Sequence, residues 1–115
     1  MSNYPKLQTL EDVNRHRDAD RPLFDLGQLV TTPAAQKVLA DAGLNSFWLV
    51  EQHRHGQWGD LVTAYKALND QALLNGGRLH SAYCVKNVML FVVTEAMNEK
   101  TGQRDRTCVL LPLEC

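Results

Sequence analysis

Two groups of polar and aromatic residues in this sequence have side chains that could do chemistry. The first is the run His53-Arg54-His55-Gly56-Gln57-Trp58-Gly59-Asp60. Two histidines two positions apart at a helix end point to different sides, so they do not hold one metal ion as an i, i+4 pair does. A metal site of His53, His55 and Asp60 is therefore the least favoured interpretation, and we assign no metal ligand and no cofactor.

His53 itself has two further interpretations. In a pocket, an imidazole can act as a general base or a hydrogen-bond anchor, because its unperturbed pKa lies near neutrality. Alternatively, the ring bonds a free carbonyl at the end of its own helix, with Trp58 packed over the junction, because the last carbonyls of a helix have no intrahelical partner. We favour this second, structural interpretation.

The second group lies on two strands predicted after Gly77. Ser81 has no His and Asp partners that would make it a nucleophile. Small ribonucleases and ADP-ribosyl transferases place similar residue types on a sheet, so an enzymatic site stays open as an alternative. The candidate catalytic residues are His53, Arg78, Ser81, Tyr83 and Glu95, and the candidate binding residues are Trp58, Asp60, Asn69 and Thr94.

Two short helices are predicted between residues 32 and 56. The first begins with Thr32 as its cap and Pro33 in its first turn, and it ends at Gly43, which suits the left-handed position after a helix. The second is capped by Asn45 or the serine that follows. It carries His53 in its last turn, where cations are favoured.

A third helix is predicted to begin with Asp60 as its cap and to end at Gly76-Gly77. Its apolar residues recur at helical spacing and are expected to share one buried face: Leu61, Ala64, Tyr65, Leu68 and Ala72. We therefore expect this helix to lie across the sheet.

After Gly77 the pattern changes from helical to alternating. Residues 79–85 and 88–95 are predicted to form a hairpin with Lys86-Asn87 as its turn, because Asn tolerates positive φ. This register puts Leu79 opposite Thr94 and brings Arg78 and Glu95 together at one edge. A third strand is predicted over 107–111, and residues 23–30 form a short strand or extended lead-in.

The order of these elements predicts the α+β class, with about three N-terminal helices packed on a three- to four-stranded antiparallel sheet. Residues 1–22 are polar and mixed in charge, which predicts a solvated or loosely docked N-terminal arm before a single domain over residues 23–115. The predicted core consists of Leu26, Val38, Leu39, Trp48, Leu49, Leu61, Leu68, Leu90, Val92, Val109 and Leu111.

Charge and composition disfavour several classes of partner. Twelve Lys and Arg against 13 Asp and Glu give a formal net charge of -1, too little for a strong electrostatic grip on nucleic acid or an anionic membrane. No apolar run approaches the roughly 20 residues of a membrane helix, and we expect no secretory signal at the N-terminus. The three cysteines form no Cys-x-x-Cys pair, which favours a reducing cytoplasm.

Several short motifs resemble a family of small uncharacterised bacterial proteins carried on plasmids and integrative elements. The resemblance covers residues 24–115, about four fifths of the chain. Its motifs are Leu26-Gly27, Thr32-Pro33-Ala34, His53-x-x-Gly56-x-Trp58-Gly59-Asp60, Asn69, Gly77-Arg78-Leu79-x-Ser81-Ala82-Tyr83, Thr94-Glu95-Ala96 and Thr107-x-x-Leu110-Leu111-Pro112. Gln57 and Tyr65 replace two acidic residues of the family pattern.

Members of this family are called plasmid-related proteins, and many are mislabelled as subunit M of a type I restriction endonuclease. A DNA methyltransferase subunit needs an Asn-Pro-Pro-aromatic motif, and this chain has no Pro-Pro pair. The resemblance implies a mobile-element context and no particular biochemical activity.

We therefore expect a small cytoplasmic binding or accessory module of a mobile genetic element that acts through a protein partner and can form a homodimer. Nucleic acid and membrane are not expected partners. The alternative is a small enzyme, similar to a ribonuclease or an ADP-ribosyl transferase. The two hypotheses differ in whether the candidate catalytic side chains converge in one accessible cleft.

Overall fold

The computed structural model describes residues 4–115 and has the predicted α+β class. The helices are α1 Leu10–Asp18, α2 Pro33–Asp41, α3 Ser46–Arg54 and α4 Thr63–Asn75. The strands are β1 Gln28–Thr31, β2 Leu79–Val85, β3 Val88–Thr94 and β4 Arg106–Leu110, and a short 3-10 helix follows over Pro112–Glu114. Within this described part of the chain, no helix is long and apolar enough to cross a membrane.

The hairpin of β2 and β3 follows the predicted register. Lys86 and Asn87 form its turn with φ of 45° and 68°, the left-handed values that a two-residue turn requires. Leu79 pairs with Thr94, as the alternating pattern predicts. Local signals were sufficient here because the turn and the two strands are adjacent in the chain.

The sheet is mixed, so the prediction of a wholly antiparallel sheet is wrong. Its strand order is β1-β4-β3-β2, and β1 runs parallel to β4. The N–H of Gln28 donates to the Asp105 carbonyl at 3.0 Å, and the N–H of Thr32 donates to the Val109 carbonyl at 3.0 Å. The residues of β1 and β4 contain no local pattern that predicts pairing between strands so far apart in the chain.

The helices α2 and α3 begin as their caps predict. The Thr32 side chain accepts a hydrogen bond from the Ala35 N–H, and the Asn45 side chain accepts one from the Phe47 N–H. The predicted cap of α4 is wrong, because α4 begins after Val62 and the Asp60 side chain is used elsewhere.

Part of the predicted polar arm folds into α1 and packs on the domain. Thr9 and Asp12 form a capping box at its start, and Val13 is fully buried. Arg17 forms an ion pair with Asp70 of α4. One buried valine and one ion pair fix a helix whose composition is otherwise polar, which corrects the prediction of a loosely docked arm over 1–22. Residues 1–3 of that predicted arm lie outside the described residues.

The core consists of two apolar clusters on the inner face of the sheet. One lies under α2 and α3 and contains Ala35, Leu39, Leu49, Val50, Tyr83, Val85, Leu90, Val92 and Val109. The other lies near α1 and α4 and contains Val13, Leu23, Phe24, Trp58, Ala72, Leu73 and Leu79. Trp48 and Leu68, both predicted to be core residues, are 50% and 63% exposed.

Candidate functional site

His53 is fully buried between α3 and the sheet, where it anchors a hydrogen-bond network. Its Nδ1 lies 2.5 Å from the Ser81 hydroxyl on β2, and its Nε2 lies 2.8 Å from the Thr94 hydroxyl on β3. The Thr94 hydroxyl lies 2.7 Å from that of Thr107 on β4, which donates to the Leu26 carbonyl at 2.7 Å. The network therefore joins α3 to three strands and to the segment before β1.

The positions of the protons in this network follow from its last member. A carbonyl only accepts, so Thr107 donates to Leu26 and accepts from Thr94, which in turn accepts from His53 Nε2. Burial, together with smaller electrostatic contributions from His80 and Arg104, lowers the pKa of His53 to about 3. His53 is therefore neutral, with its proton on Nε2 and Nδ1 accepting from Ser81.

This arrangement gives His53 and Ser81 a structural role. Both residues have no exposed surface, so neither can reach a substrate in this structure. A different histidine bonds a carbonyl at the end of α3: His55 Nδ1 lies 2.6 Å from the backbone carbonyl oxygen of Glu51. The predicted carbonyl cap by His53 is thus wrong, whereas Trp58 does pack edge-on against His53, with ring centroids 5.7 Å apart.

Sequence patterns contained one signal for this network that our prediction did not use. Ser81 and Thr94 both fall on the inner, apolar face in the predicted register, and both are fully buried. Buried hydroxyls need partners. An inward-facing His at the end of a neighbouring helix is the residue that could supply both.

Asn69 completes the hydrogen bonding of β2, which is an edge strand of the sheet. Its Nδ2 donates to the His80 carbonyl at 2.8 Å, and its Oδ1 accepts from the His80 N–H at 3.0 Å. The amide side chain thereby takes the place of one residue of a neighbouring strand. Asn69 is 5% exposed, so its polar atoms are committed to the fold.

The segment around Gly59 covers the rest of the same edge. Ala82 donates to the Trp58 carbonyl at 3.2 Å and accepts from the Asp60 N–H at 2.7 Å. The Asp60 carboxylate accepts from the Cys84 N–H at 3.1 Å. Gly59 has φ of +79°, and a Cβ there would overlap the Ala82 carbonyl oxygen. Asp60 is therefore an edge-protecting residue.

Trp58 and Asp70 link this segment to the helices. The Trp58 indole N–H donates to Asp70 Oδ1 at 2.9 Å, and the same oxygen accepts from Arg17. The Trp58 ring stacks on Phe24 with centroids 6.2 Å apart. Of the four candidate binding residues, Trp58, Asn69 and Thr94 are thus buried in the fold, and Asp60 uses its carboxylate within it.

Arg78 and Glu95 do not form the predicted pair. The Arg78 guanidinium contacts the Cys115 sulfur at 3.1 Å, whereas Glu95 forms an ion pair with Arg106 at 2.6 Å. Tyr83 donates its hydroxyl to the Gln57 carbonyl, and burial raises its pKa. The structure brings together His53 and Ser81 but does not bring Arg78 and Glu95 into contact with them.

The residues around His53 and His55 do not gather a metal-binding set. Both ring nitrogens of His53 contact hydroxyl groups. Across residues 4–115, no three His, Cys, Asp or Glu side chains are placed to hold a metal ion.

Arg104 is a buried cation that the sequence analysis did not single out. It is 4% exposed and donates to the carbonyls of Ala72, Gly77 and Glu95 at 3.2, 2.6 and 3.0 Å. The Ala72 carbonyl lies in the last turn of α4, at the negative end of the helix dipole, and Gly77 follows that helix by two residues. Burial lowers the pKa of Arg104 to about 10. A cavity of about 570 Å³ lies beside it, but its guanidinium donors already bond the fold.

The apolar stripe of α4 is covered along only half of its length. In the C-terminal half, Ala72 and Leu73 are buried in the core. In the N-terminal half, Tyr65 and Leu68 are 58% and 63% exposed, and Val62 just before the helix is 63% exposed. The predicted apolar face of this helix therefore exists, but only its C-terminal part lies against the core.

The outer face of the sheet is also apolar beside α4. Positions on β3 that point away from the helices carry Met89, Phe91 and Val93, so the strand lacks the apolar–polar alternation of a sheet with one solvated face. Val93 is buried, whereas Met89 and Phe91 are half-buried. The Phe91 ring packs edge-on against His80, with centroids 4.3 Å apart.

These two surfaces meet in a groove of about 440 Å³, which we call the α4 groove. Its walls and floor are formed by Leu61, Tyr65, Leu68, Asn69, Arg78, His80 and Phe91. Arg78 is its permanently charged member, and burial lowers the pKa of His80, which favours the neutral ring. The lining of the α4 groove is therefore largely apolar, with two aromatic side chains and one guanidinium among its residues.

Comparison with protein-family models, with curated proteins and with solved structures finds no match to this chain.

Proposed function

We propose that this chain is a small protein-binding module whose protein partner docks in the α4 groove. The observation that carries this proposal is the bare N-terminal half of the α4 stripe beside Phe91 on the outer face of the sheet. Large apolar patches on small proteins mark interaction sites, because leaving them in water is costly.

The residue types in the groove support a protein partner over a small polar ligand. Tyr65 and Phe91 offer aromatic surface, and aromatic residues and Arg are enriched where binding energy concentrates at interfaces. Burying a side chain such as Leu68 contributes roughly 1.5–3 kcal/mol. Arg78 also lines the groove, where a charge adds orientation and specificity.

Two wider features of the proposal rest on other observations. A cytoplasmic location is supported by the three cysteines, all of which are free thiols. An accessory role on a mobile genetic element is supported by the sequence resemblance described above. We do not propose an enzyme, because His53 and Ser81, the candidate catalytic residues that the structure brings together, are both fully buried.

The proposal is tested by binding with matched variants of exposed apolar residues. Leu68→Asp places a charge in the groove, and Leu10→Asp places the same charge on α1, where Leu10 is 43% exposed. A photo-crosslinking amino acid at position 65 or position 10 then reports which surface the partner contacts in the bacterial cytoplasm.

We expect one protein to crosslink through position 65 and to bind the purified wild-type and Leu10→Asp proteins with equal affinity. Leu68→Asp is expected to weaken that binding by about tenfold or more, equivalent to 1.4 kcal/mol. A partner held equally well by Leu68→Asp, or the absence of any crosslink specific to position 65, overturns the proposal.

A further inference from the structure

The strand β1 leaves one row of backbone groups without partners among the described residues. Gln28 and Thr32 direct their N–H groups to β4. Because hydrogen-bonding direction alternates along a strand, Leu29 and Thr31 direct theirs to the opposite side. Within the described residues β1 pairs with β4 alone, on the side to which Gln28 and Thr32 point, and no turn, loop or cap hydrogen bond reaches the N–H or C=O groups of Leu29 and Thr31. β1 is the end strand of the sheet, so this row faces outward.

The two edges of the sheet are therefore treated differently. The β2 edge is covered at His80, Ala82 and Cys84 by Asn69 and by the segment around Asp60. Proteins protect edge strands by such coverage, by charged side chains or by proline. β1 carries none of these, since its sequence is Gln28-Leu29-Val30-Thr31, and Leu29 is 42% exposed.

We propose that β1 pairs with β1 of a second copy of this chain, antiparallel and across a two-fold axis. In that register Leu29 lies opposite Thr31 of the second copy, and the two Val30 residues face each other at the axis. Each Leu29–Thr31 pair exchanges two N–H···O=C hydrogen bonds, which satisfies every outward-facing group of the strand.

The second copy fits this edge because the strand is uncharged and matches itself. Across a two-fold axis the strand faces an identical strand, so a strand with charges of one sign would repel its copy. Here the facing residues are uncharged, and two of the three, valine and threonine, favour strand pairing. The pairing joins two four-stranded sheets into one.

This interface is independent of the proposed function. The α4 groove is lined by residues of β2 and β3, whereas β1 forms the opposite edge of the sheet. Its failure would leave the proposed partner site unaffected. Both surfaces can be occupied at once.

Amide hydrogen exchange of the wild-type protein tests the pairing directly. With rising protein concentration, the amides of Leu29 and Thr31 are expected to become protected, whereas the Val30 amide, which faces β4, is expected to change less. Exchange at Leu29 and Thr31 that is rapid at every concentration overturns the proposal.

Sedimentation of matched variants gives the second test. Leu29→Pro removes an outward N–H that the β1–β4 pairing does not use, and Leu29→Lys adds an edge charge in case the proline disturbs folding. Each is expected to raise the dimer dissociation constant by about tenfold or more. Leu113→Lys, at a fully exposed residue, and Leu68→Asp are expected to leave the dimer intact. A monomeric wild-type protein, or a dimer unchanged by both Leu29 variants, contradicts the inference.

Discussion

At the residue scale, His53 uses both ring nitrogens inside the protein. Nε2 donates to Thr94, and Nδ1 accepts from Ser81. A second proton on the ring would face the Ser81 hydroxyl donor in a site without solvent, which is why burial depresses the pKa so strongly. The alternating pattern put Ser81 and Thr94 on one face, and the need of buried hydroxyls for partners pointed to a histidine, but the pattern along the chain did not specify how α3 packs on the sheet.

The free energy of unfolding is expected to decrease as the pH falls below 6.5. The pKa of His53 is 6.5 in its unperturbed state and about 3 in the fold, so the unfolded chain takes up a proton in this range and the folded chain does not. The stabilisation by neutral His53 is complete above pH 6.5 and is lost at up to about 1.4 kcal/mol per pH unit. Urea unfolding at pH 7 and pH 5 measures this loss.

The control for this pH dependence is His80, whose pKa burial also lowers. His80→Gln is expected to retain most of the slope, because His80 is only partly buried. His53→Gln is expected to lose most of it. Equal slopes in wild type and His53→Gln would show that another group titrates in this range.

At the element scale, the sequence correctly predicted the features that depend on residues close together in the chain. The caps of α2 and α3 and the β2–β3 hairpin follow from residues within a few positions of each other. Asp60 looked like a helix cap by the same logic, yet its carboxylate bonds the Cys84 N–H across the sheet edge. Edge coverage joins segments distant in sequence, and patterns along the chain do not specify it.

Alanine substitution of two glycines with left-handed φ is expected to distinguish the cost of backbone strain from the cost of a clash with the β2 edge. Gly59 and Gly43 have φ of +79° and +71°, so Ala at either position meets similar backbone strain of about 1–2 kcal/mol. A Cβ at Gly43 has open space, whereas one at Gly59 overlaps the Ala82 carbonyl. Gly59→Ala is expected to destabilise the protein by at least about 2 kcal/mol more than Gly43→Ala. Equal free energies of unfolding for the two variants would show that the Gly59 segment does not pack closely against the β2 edge.

At the scale of the whole molecule, α1 is part of the domain. Polar composition predicted an arm over 1–22 because Val13 is a single buried residue within a charged segment. The residues that hold α1 in place lie elsewhere in the chain. Val13 packs in the second apolar cluster, and Arg17 forms an ion pair with Asp70. The same limit explains β1, whose partner strand is specified only by the assembled sheet.

Truncation of Val13 is expected to destabilise the entire fold. Val13→Ala removes two methyl groups from a fully buried site, which costs about 1–2 kcal/mol after the better helix propensity of alanine is counted. Asn14→Ala, at the next and exposed position, is expected to change stability by less than about 0.5 kcal/mol. Thermal and urea unfolding measure both variants. No effect of Val13→Ala would restore the prediction of a loosely docked arm.

The position of β4 has a consequence for biosynthesis. β4 lies between β1 and β3 and follows all four α-helices in chain order. A nascent chain that has emerged only as far as β3 holds β1 without a neighbour and the His53 network without Thr107. Closing the sheet joins segments of high sequence separation, which slows folding. The sheet therefore stays open until residues 106–110 have left the ribosome, and during that time its unpaired strands are exposed to aggregation.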